Sequence, residues 1–269
     1  MSDQSEGLPN YRGTVPEHEW LQHTRAGISS RSADLLAVHR PDLVAVRFSV
    51  PDQAVGWDKA FPDYAPPFID EPYGRHTGKD LDEVDDSLVP GHGSREGAIR
   101  FDSGGYPLNP IGRTGLRGRL TMNKFGPTKA ADAIVVRGIG DDAEVLIVER
   151  MDNGLLALPA GKLNLGEGAR GAAGRETFEE TSLEFDFTHA RAIFSGMVDD
   201  DRATDNAWFE TEAFLLRASG AEAARQPKGK DDAAEARWLP LAEARSRPSH
   251  ASTAIMLELA YLALAERAV

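Results

Sequence analysis

The sequence predicts an α/β (α+β) fold: a mixed sheet sandwiched by helices, with an irregular N-terminal subdomain before it. Three observations carry that reading. The second half of the chain holds apolar or alternating segments of strand length, among them DAIVVR at 132–137 and AWFETEAFLLR at 207–217. A Gly-bearing loop at 161–168 runs into a stretch from Ala169 that is rich in Ala and Glu and favours helix. Residues 51–110, by contrast, are crowded with Pro, Gly and Asp and show little periodicity.

The elements follow in order. Residues 1–20 are polar, with Gly and Pro, and read as loose. A short helix fits 30–38 and a strand fits LVAVRFSV at 43–50. One or two strands are expected around Trp57, Tyr64 and Phe68, and 71–96 reads as a long loop rich in Gly and charge. Strands are expected at 132–137 and 144–150, with a second short apolar segment at 155–158. Pro159, Ala160 and Gly161 then break the chain. In the helix that follows, Ala172, Ala173, Phe178 and Leu183 offer a buried stripe. Strands at 190–198 and 207–217 flank an Asp-rich loop at 199–206. A short strand at 235–239, a helical turn at 241–245 and an amphipathic helix at 250–267 close the chain, the last through Ile255, Leu259, Leu262 and Ala263. Met256 and Tyr261 read as core positions of that helix. The organisation is thus an N-terminal extension at 1–45, partly disordered, a subdomain at 46–120 and a main domain at 121–269.

Composition narrows the function. The net charge of −13, from 30 basic and 43 acidic residues, argues against a broad nucleic-acid footprint. A small anionic substrate remains compatible where basic groups are focused, as at Arg113, Arg117, Arg119, Lys124 and Lys129. The absence of Cys excludes disulfides and thiolate metal sites. No apolar stretch reaches the ~18 residues of a membrane span, and MSDQSEGLPN lacks a basic, apolar leader pattern. A cytoplasmic protein without membrane partners is expected.

The informative run is GKLNLGEGARGAAGRETFEETSL at 161–183. Glu176, Glu179 and Glu180 are spaced i, i+3, i+4 and share one helix face, where like charges repel. Arg175 relieves part of that repulsion through an i, i+4 pair with Glu179. A hard cation relieves more: oxygen-only ligands suit Mg²⁺, which keeps several waters and meets substrate phosphates. Taken by themselves these residues fit a solvated acidic face equally well; the strand, Gly loop and helix around them favour the metal.

The run resembles the Nudix box, with Gly161, Glu167, Arg175, Glu176, Glu179, Glu180 and Leu183 at matching spacing. Thr177 stands where an aliphatic residue is usual, and Ser182 where Gly is. Flanking segments at 109–116 and 126–132, VDDDRATDNAW at 198–208, Asp231 with Trp238, and Ser249 with His250 resemble the mitochondrial-type ADP-ribose pyrophosphatases of that family and the related domain of ADP-ribose-gated melastatin channels. The resemblance covers about 46–262 and implies the Nudix α-β-α sandwich. It implies metal ligation by Glu176 and Glu180, by Glu179 as ligand or base, and by the backbone carbonyl of Ala160. Arg175 is expected to orient a Glu, and Glu167 to pair with Arg175 or a water. A loop carboxylate is a second candidate base, drawn from Asp199, Asp200, Asp201 and Asp205. Substrate contacts are expected from Arg113, Asp200, Asn206, Asp231 and His250, while Trp208 is either a base-stacking platform or core. The implied activity is Mg²⁺-dependent hydrolysis of ADP-ribose to AMP and ribose 5-phosphate, with Mn²⁺ as a possible substitute. The alternatives are another nucleoside diphosphate derivative, such as a nucleotide sugar or dinucleotide, or a non-catalytic ADP-ribose-binding module.

Overall fold

The computed structural model describes residues 47–71, 84–91, 93–151, 154–198, 200, 202–231, 233–247, 249–250 and 252–265. The expected extension at 1–45 and helix at 30–38, with Asp199 and Asp201, lie outside these residues. The chain forms two compact units: one from Lys129–Gly196 and Thr211–Val269, the other from the described residues through Thr128 with Met197–Glu210.

The first unit is built on a seven-stranded sheet. Its strands are β5 (Gly126–Arg137), β6 (Glu144–Arg150), β7 (Leu156–Ala157), β8 (Ala160–Lys162), β9 (Arg191–Met197), β10 (Ala207–Arg217) and β11 (Ala233–Pro240). The order is β11-β6-β5-β10-β9, with β7 paired to β6 and β8 to β5. β11 runs antiparallel to β6 with Trp238 opposite Leu146, and β5 antiparallel to β8 with Asp132 opposite Ala160. Helix α1 (Ala169–Thr181) packs against β8 and β11, and α3 (Leu241–Ser246) against β6, β11 and α4 (Thr253–Ala265). A short α2 (Gly220–Ala224) follows β10. Ala172 and Ala173 of α1 meet Ala131 and Ala133 of β5, and Leu183, Phe185, Phe187, Phe214 and Trp238 fill the same core. Small side chains on both surfaces let the helix lie close to the sheet. Burying one of the larger side chains contributes about 1.5–3 kcal/mol.

This is the α/β (α+β) architecture the sequence predicts, with local differences. Residues 160–162 are a strand, not a break, because they bond to β5 at Ala130, Ala131 and Asp132. The buried face of α1 runs through Ala172, Ala173, Thr177, Glu180 and Thr181, so Phe178 stays 48% exposed. In α4 the buried residues are Thr253, Met256, Leu257, Ala260 and Ala263, while Leu262 and Tyr261 are exposed. Of the expected stripe Ala263 is buried, Ile255 and Leu259 are half-buried and Leu262 faces out, because α4 is apolar nearly all round and offers little face contrast. Tyr261 stacks instead under Arg245, whose guanidinium carbon lies 3.9 Å from the ring centroid.

In the second unit β1 (Phe68–Asp70) pairs parallel with β4 (Arg117–Leu120), and β2 (Arg100–Phe101) antiparallel with β3 (Pro107–Leu108). Residues 47–50 are not a strand; Phe48 N–H donates a single backbone bond to Gly115 O at 2.9 Å. The core is small: Leu116 and Leu120 with Ile69, and Met197, Ala203 and Trp208 with Ile99 and Ile111. Polar interior contacts supplement it. Arg119, 1% exposed, grips Asp70 through Nε at 2.6 Å and Nη2 at 2.9 Å and lies 4.7 Å from the Phe125 ring centroid. Among the described residues no helix is long and apolar enough to cross a membrane.

Candidate metal and phosphate site

The Glu-rich helix is organised around Arg175. β8 delivers the chain into a turn in which Glu167 N–H bonds Asn164 O at 3.0 Å and Asn164 N–H bonds Glu167 Oε2 at 2.9 Å. That turn aims Glu167 back at α1. Arg175 Nε and Nη2 grip its two oxygens at 2.9 and 2.8 Å. Nη1 donates to Glu176 Oε1 at 2.6 Å and Glu179 Oε2 at 2.9 Å, and Nη2 also donates to Lys162 O at 2.9 Å. A guanidinium has five N–H donors, and these five bonds use all of them. The Glu167 carboxylate, ahead of Glu176 and Glu179, holds the Arg175 guanidinium protonated above its usual range. The Arg175 contact in turn lowers the Glu167 carboxyl below its ordinary value.

Glu176 and Glu180 lie against β8. A Cβ built on Gly161 would stand 2.0 Å from Glu176 Oε1 and 2.1 Å from its Cδ. Position 161 therefore admits no side chain while Glu176 holds its place. Glu180 is 4% exposed, and its Oε2 accepts a bond from Ala160 N–H at 3.2 Å. The Glu179 side chain, on the same face, is 43% exposed. Among the described residues no three His, Cys, Asp or Glu side chains stand already gathered for a cation. The donor chemistry nevertheless suits a hard divalent ion: carboxylate oxygens, a backbone strand edge without a side chain at Gly161, and an arginine that offsets their repulsion.

The two departures from the box have local accounts. Thr177 is fully buried, and its hydroxyl is satisfied by Ala173 O one turn back at 2.6 Å. Ser182 caps α1 in the left-handed region, φ 60°, ψ 16°, with its N–H on Phe178 O. Left-handed caps favour Gly.

Asp231 and His250 belong to the same unit as α1. Asp231 sits at φ 57° in the turn closed by Ala233 N–H to Lys230 O. His250 N–H bonds Leu156 O at 2.8 Å and its carbonyl accepts Thr253 N–H, which starts α4. The remaining candidates belong to the second unit and are held by its own interior. Asp205 is 1% exposed; Oδ1 accepts Thr114 N–H at 2.7 Å and Thr114 Oγ1 at 2.9 Å, and Oδ2 accepts Tyr64 Oη at 2.6 Å. Burial raises the Asp205 carboxyl despite these donors, and burial ahead of the Asp205 charge raises the Tyr64 hydroxyl. Asn206 is buried, accepting from Gly118 N–H and donating to Pro107 O. Asp200 takes Arg202 N–H, Nε and Nη2. Arg113 donates to the carbonyls of Ala54, Gly56 and Lys59, with Trp57, Phe61 and Tyr64 packed around its guanidinium. Trp208 is fully buried, and its indole N–H donates to Glu210 at 2.8 Å, a core role.

Three contributors were not singled out from sequence. Lys162 supplies a carbonyl to Arg175. Asp132, opposite Ala160, accepts Thr211 Oγ1 at 2.6 Å, and loss of water around its carboxyl pushes its pKa up to about 6 despite that bond. Glu210 is buried and bonds Ser94 Oγ and Arg95 N–H. A carboxylate within a mostly apolar strand segment signals the last two.

Comparison with known proteins bears on residues 50–259. A family profile described as NUDIX domain matches residues 127–259, and one described as NUDT9-like, N-terminal domain matches residues 50–126. A Caenorhabditis elegans protein carrying the provisional name nudix hydrolase 6 is 34% identical over 241 residues, covering 79% of this chain and 89% of that protein. The mitochondrial ADP-ribose pyrophosphatase of Rattus norvegicus is 29% identical, covering 73% of this chain and 69% of that protein. The transient receptor potential cation channel subfamily M member 2 of Rattus norvegicus is 31% identical over 65% of this chain, a match spanning 13% of the channel.

Proposed function

The chain belongs to the Nudix family, and from that premise we propose that it is a magnesium-dependent pyrophosphohydrolase that cleaves ADP-ribose to AMP and ribose 5-phosphate. The observation that carries the reading is the Arg175-centred carboxylate set, with Glu176 and Glu180 seated against Ala160 and Gly161. Similarity to a protein named ADP-ribose pyrophosphatase along 73% of this chain, at 29% identity, supports the choice of substrate.

Each residue then has a task. Glu176 and Glu180, with the Ala160 carbonyl, would hold the cation. Magnesium, or manganese in its place, offsets the diphosphate charge and acidifies water when bound. Arg175 and Glu167 fix the carboxylates, so little reorganisation is needed when the diphosphate arrives. Glu179, the most exposed of the three helix carboxylates, takes the proton from the attacking water. The enclosed Asp205 carboxylate, already accepting three hydrogen bonds, anchors its loop instead. Asp231 and His250 meet the nucleoside end of the substrate. The cytoplasm is the proposed setting.

A second reading is favoured by the match to the channel: an ADP-ribose-binding module without turnover. Purified protein with Mg²⁺ or Mn²⁺ is offered ADP-ribose, nucleotide sugars and dinucleoside polyphosphates, and products are separated by chromatography. AMP and ribose 5-phosphate from ADP-ribose are expected, at a kcat/KM at least about tenfold above the rest of the panel. Faster cleavage of another member would replace the substrate, and calorimetric binding of ADP-ribose without cleavage would establish the module.

A further inference from the structure

The C-terminal end of α1 carries a second set of contacts, separate from the carboxylate network. The last carbonyls of a helix have no partner within it. Ser182 N–H takes Phe178 O. The carbonyls of Glu180 and Thr181, the last two of the helix, are taken by a distant segment: Lys230 N–H bonds Glu180 O at 3.1 Å, and Lys228 N–H bonds Thr181 O at 2.8 Å. The residue between these donors is Gly229. A Cβ there would stand 2.8 Å from Glu235 Cα and 2.9 Å from both Ala233 O and Glu235 N. All three are main-chain atoms of β11, where the pairing with β6 shifts register between Ala233 and Glu235. They cannot swing aside as a side chain would. Gly229 is thus what lets the segment lie against β11 while both neighbouring N–H groups reach α1. The Lys230 ammonium lies 5.7 Å from the Phe178 ring centroid on the same helix end, and its charge suits a helix C-terminus.

We infer that residues 228–230, seated by Gly229, are a positioning segment that sets where Glu180 stands for divalent-ion binding. The inference rests on the metal role proposed for Glu180. That residue is held twice: its carboxylate by Ala160 N–H and its carbonyl by Lys230 N–H. Metal–oxygen distances tolerate only about 0.2 Å. A displaced helix end therefore weakens ion binding without altering any ligand.

The test uses the full chain and Gly229→Ala. Mn²⁺ binding to metal-free protein is titrated by the electron paramagnetic resonance signal of free Mn²⁺, alongside thermal denaturation. The variant is expected to bind Mn²⁺ about tenfold more weakly, with turnover recovered at saturating metal. Ala260→Gly, which loosens α4 away from the segment, is expected to lower the melting temperature and leave Mn²⁺ affinity unchanged. A folded Gly229→Ala protein with wild-type Mn²⁺ affinity overturns the inference. Should that variant not fold, hydrogen exchange on the wild type decides: Mg²⁺ is expected to slow exchange at the Lys228 and Lys230 amides, and unchanged rates overturn the inference. Glu180→Gln separates the two claims. Wild-type Mn²⁺ affinity in Glu180→Gln removes the metal role itself, whereas a weakened Glu180→Gln beside an unaffected Gly229→Ala removes only the positioning role.

Discussion

Two acidic clusters in this chain share a composition and differ in everything else. On α1, Glu176 and Glu179 surround one guanidinium with Glu167, and Glu180 turns its carboxylate to a strand amide. Between residues 197 and 210, Asp200, Asp205 and Glu210 are each buried, and each carboxylate accepts at least three hydrogen bonds. Asp205 and Glu210 take theirs from side chains and amides as remote in sequence as Tyr64 and Ser94. The lesson is that acidity does not mark chemistry. What marks it is a row of carboxylates on one helix face, beside a strand edge cleared by glycine, part of it open to solvent.

The sharpest way to break the comparison is to neutralise one member of each cluster. Glu180→Gln is expected to melt near wild type and to lose several kcal/mol of transition-state stabilisation, roughly a thousandfold in AMP release. Asp205→Asn replaces an oxygen that accepts with an amide that donates. It is expected to lose about 2–4 kcal/mol of stability while the folded fraction keeps its turnover within about threefold. An inactive Asp205→Asn with an unchanged melting curve would move Asp205 into the chemistry and dissolve the contrast.

The clusters also predict opposite pH dependence. Arg175 lowers the Glu167 carboxyl, so the stability from that pair is full above the unfolded carboxyl value near 4.3 and is lost as pH falls through the folded value. Burial raises the Asp205 carboxyl above 3.8. Its unfavourable ionisation is absent below 3.8, and stability declines as pH climbs from there through the folded value. Melting temperature against pH should therefore lose part of its acid limb in Glu167→Gln and part of its decline above that limb in Asp205→Asn. The same slope changes in both variants would show that the clusters are electrostatically alike.

The smallest effect concerns the end of α1. Ser182 occupies a left-handed cap at φ 60°. Ser182→Gly is expected to gain up to about 1 kcal/mol, read by chemical denaturation, with turnover unchanged. A loss of activity would tie the cap to the carboxylates above it.

What could be read in the sequence was what is local. The i, i+3, i+4 glutamates, the Arg175 to Glu167 pair and β10 at 207–217 all lie within about a dozen residues of their own signals. Tyr64 and Asp205 are 141 residues apart and Ser94 and Glu210 are 116 apart, so no window on the chain pairs them. The hold of residues 228–230 on α1 escaped notice for the same reason. In α4 the failure was of contrast, since Leu and Ala on every side leave the buried face unmarked.

Arg175 has a further consequence for anyone seeking to block this protein. With every N–H on its guanidinium engaged by Glu167, Glu176, Glu179 and Lys162, it offers an acidic inhibitor no docking point. A carboxylate or phosphonate drawn toward that positive charge would first have to evict one of the chain's own anions. Compounds that bring a metal-chelating group to the strand edge at Gly161 start from the better position.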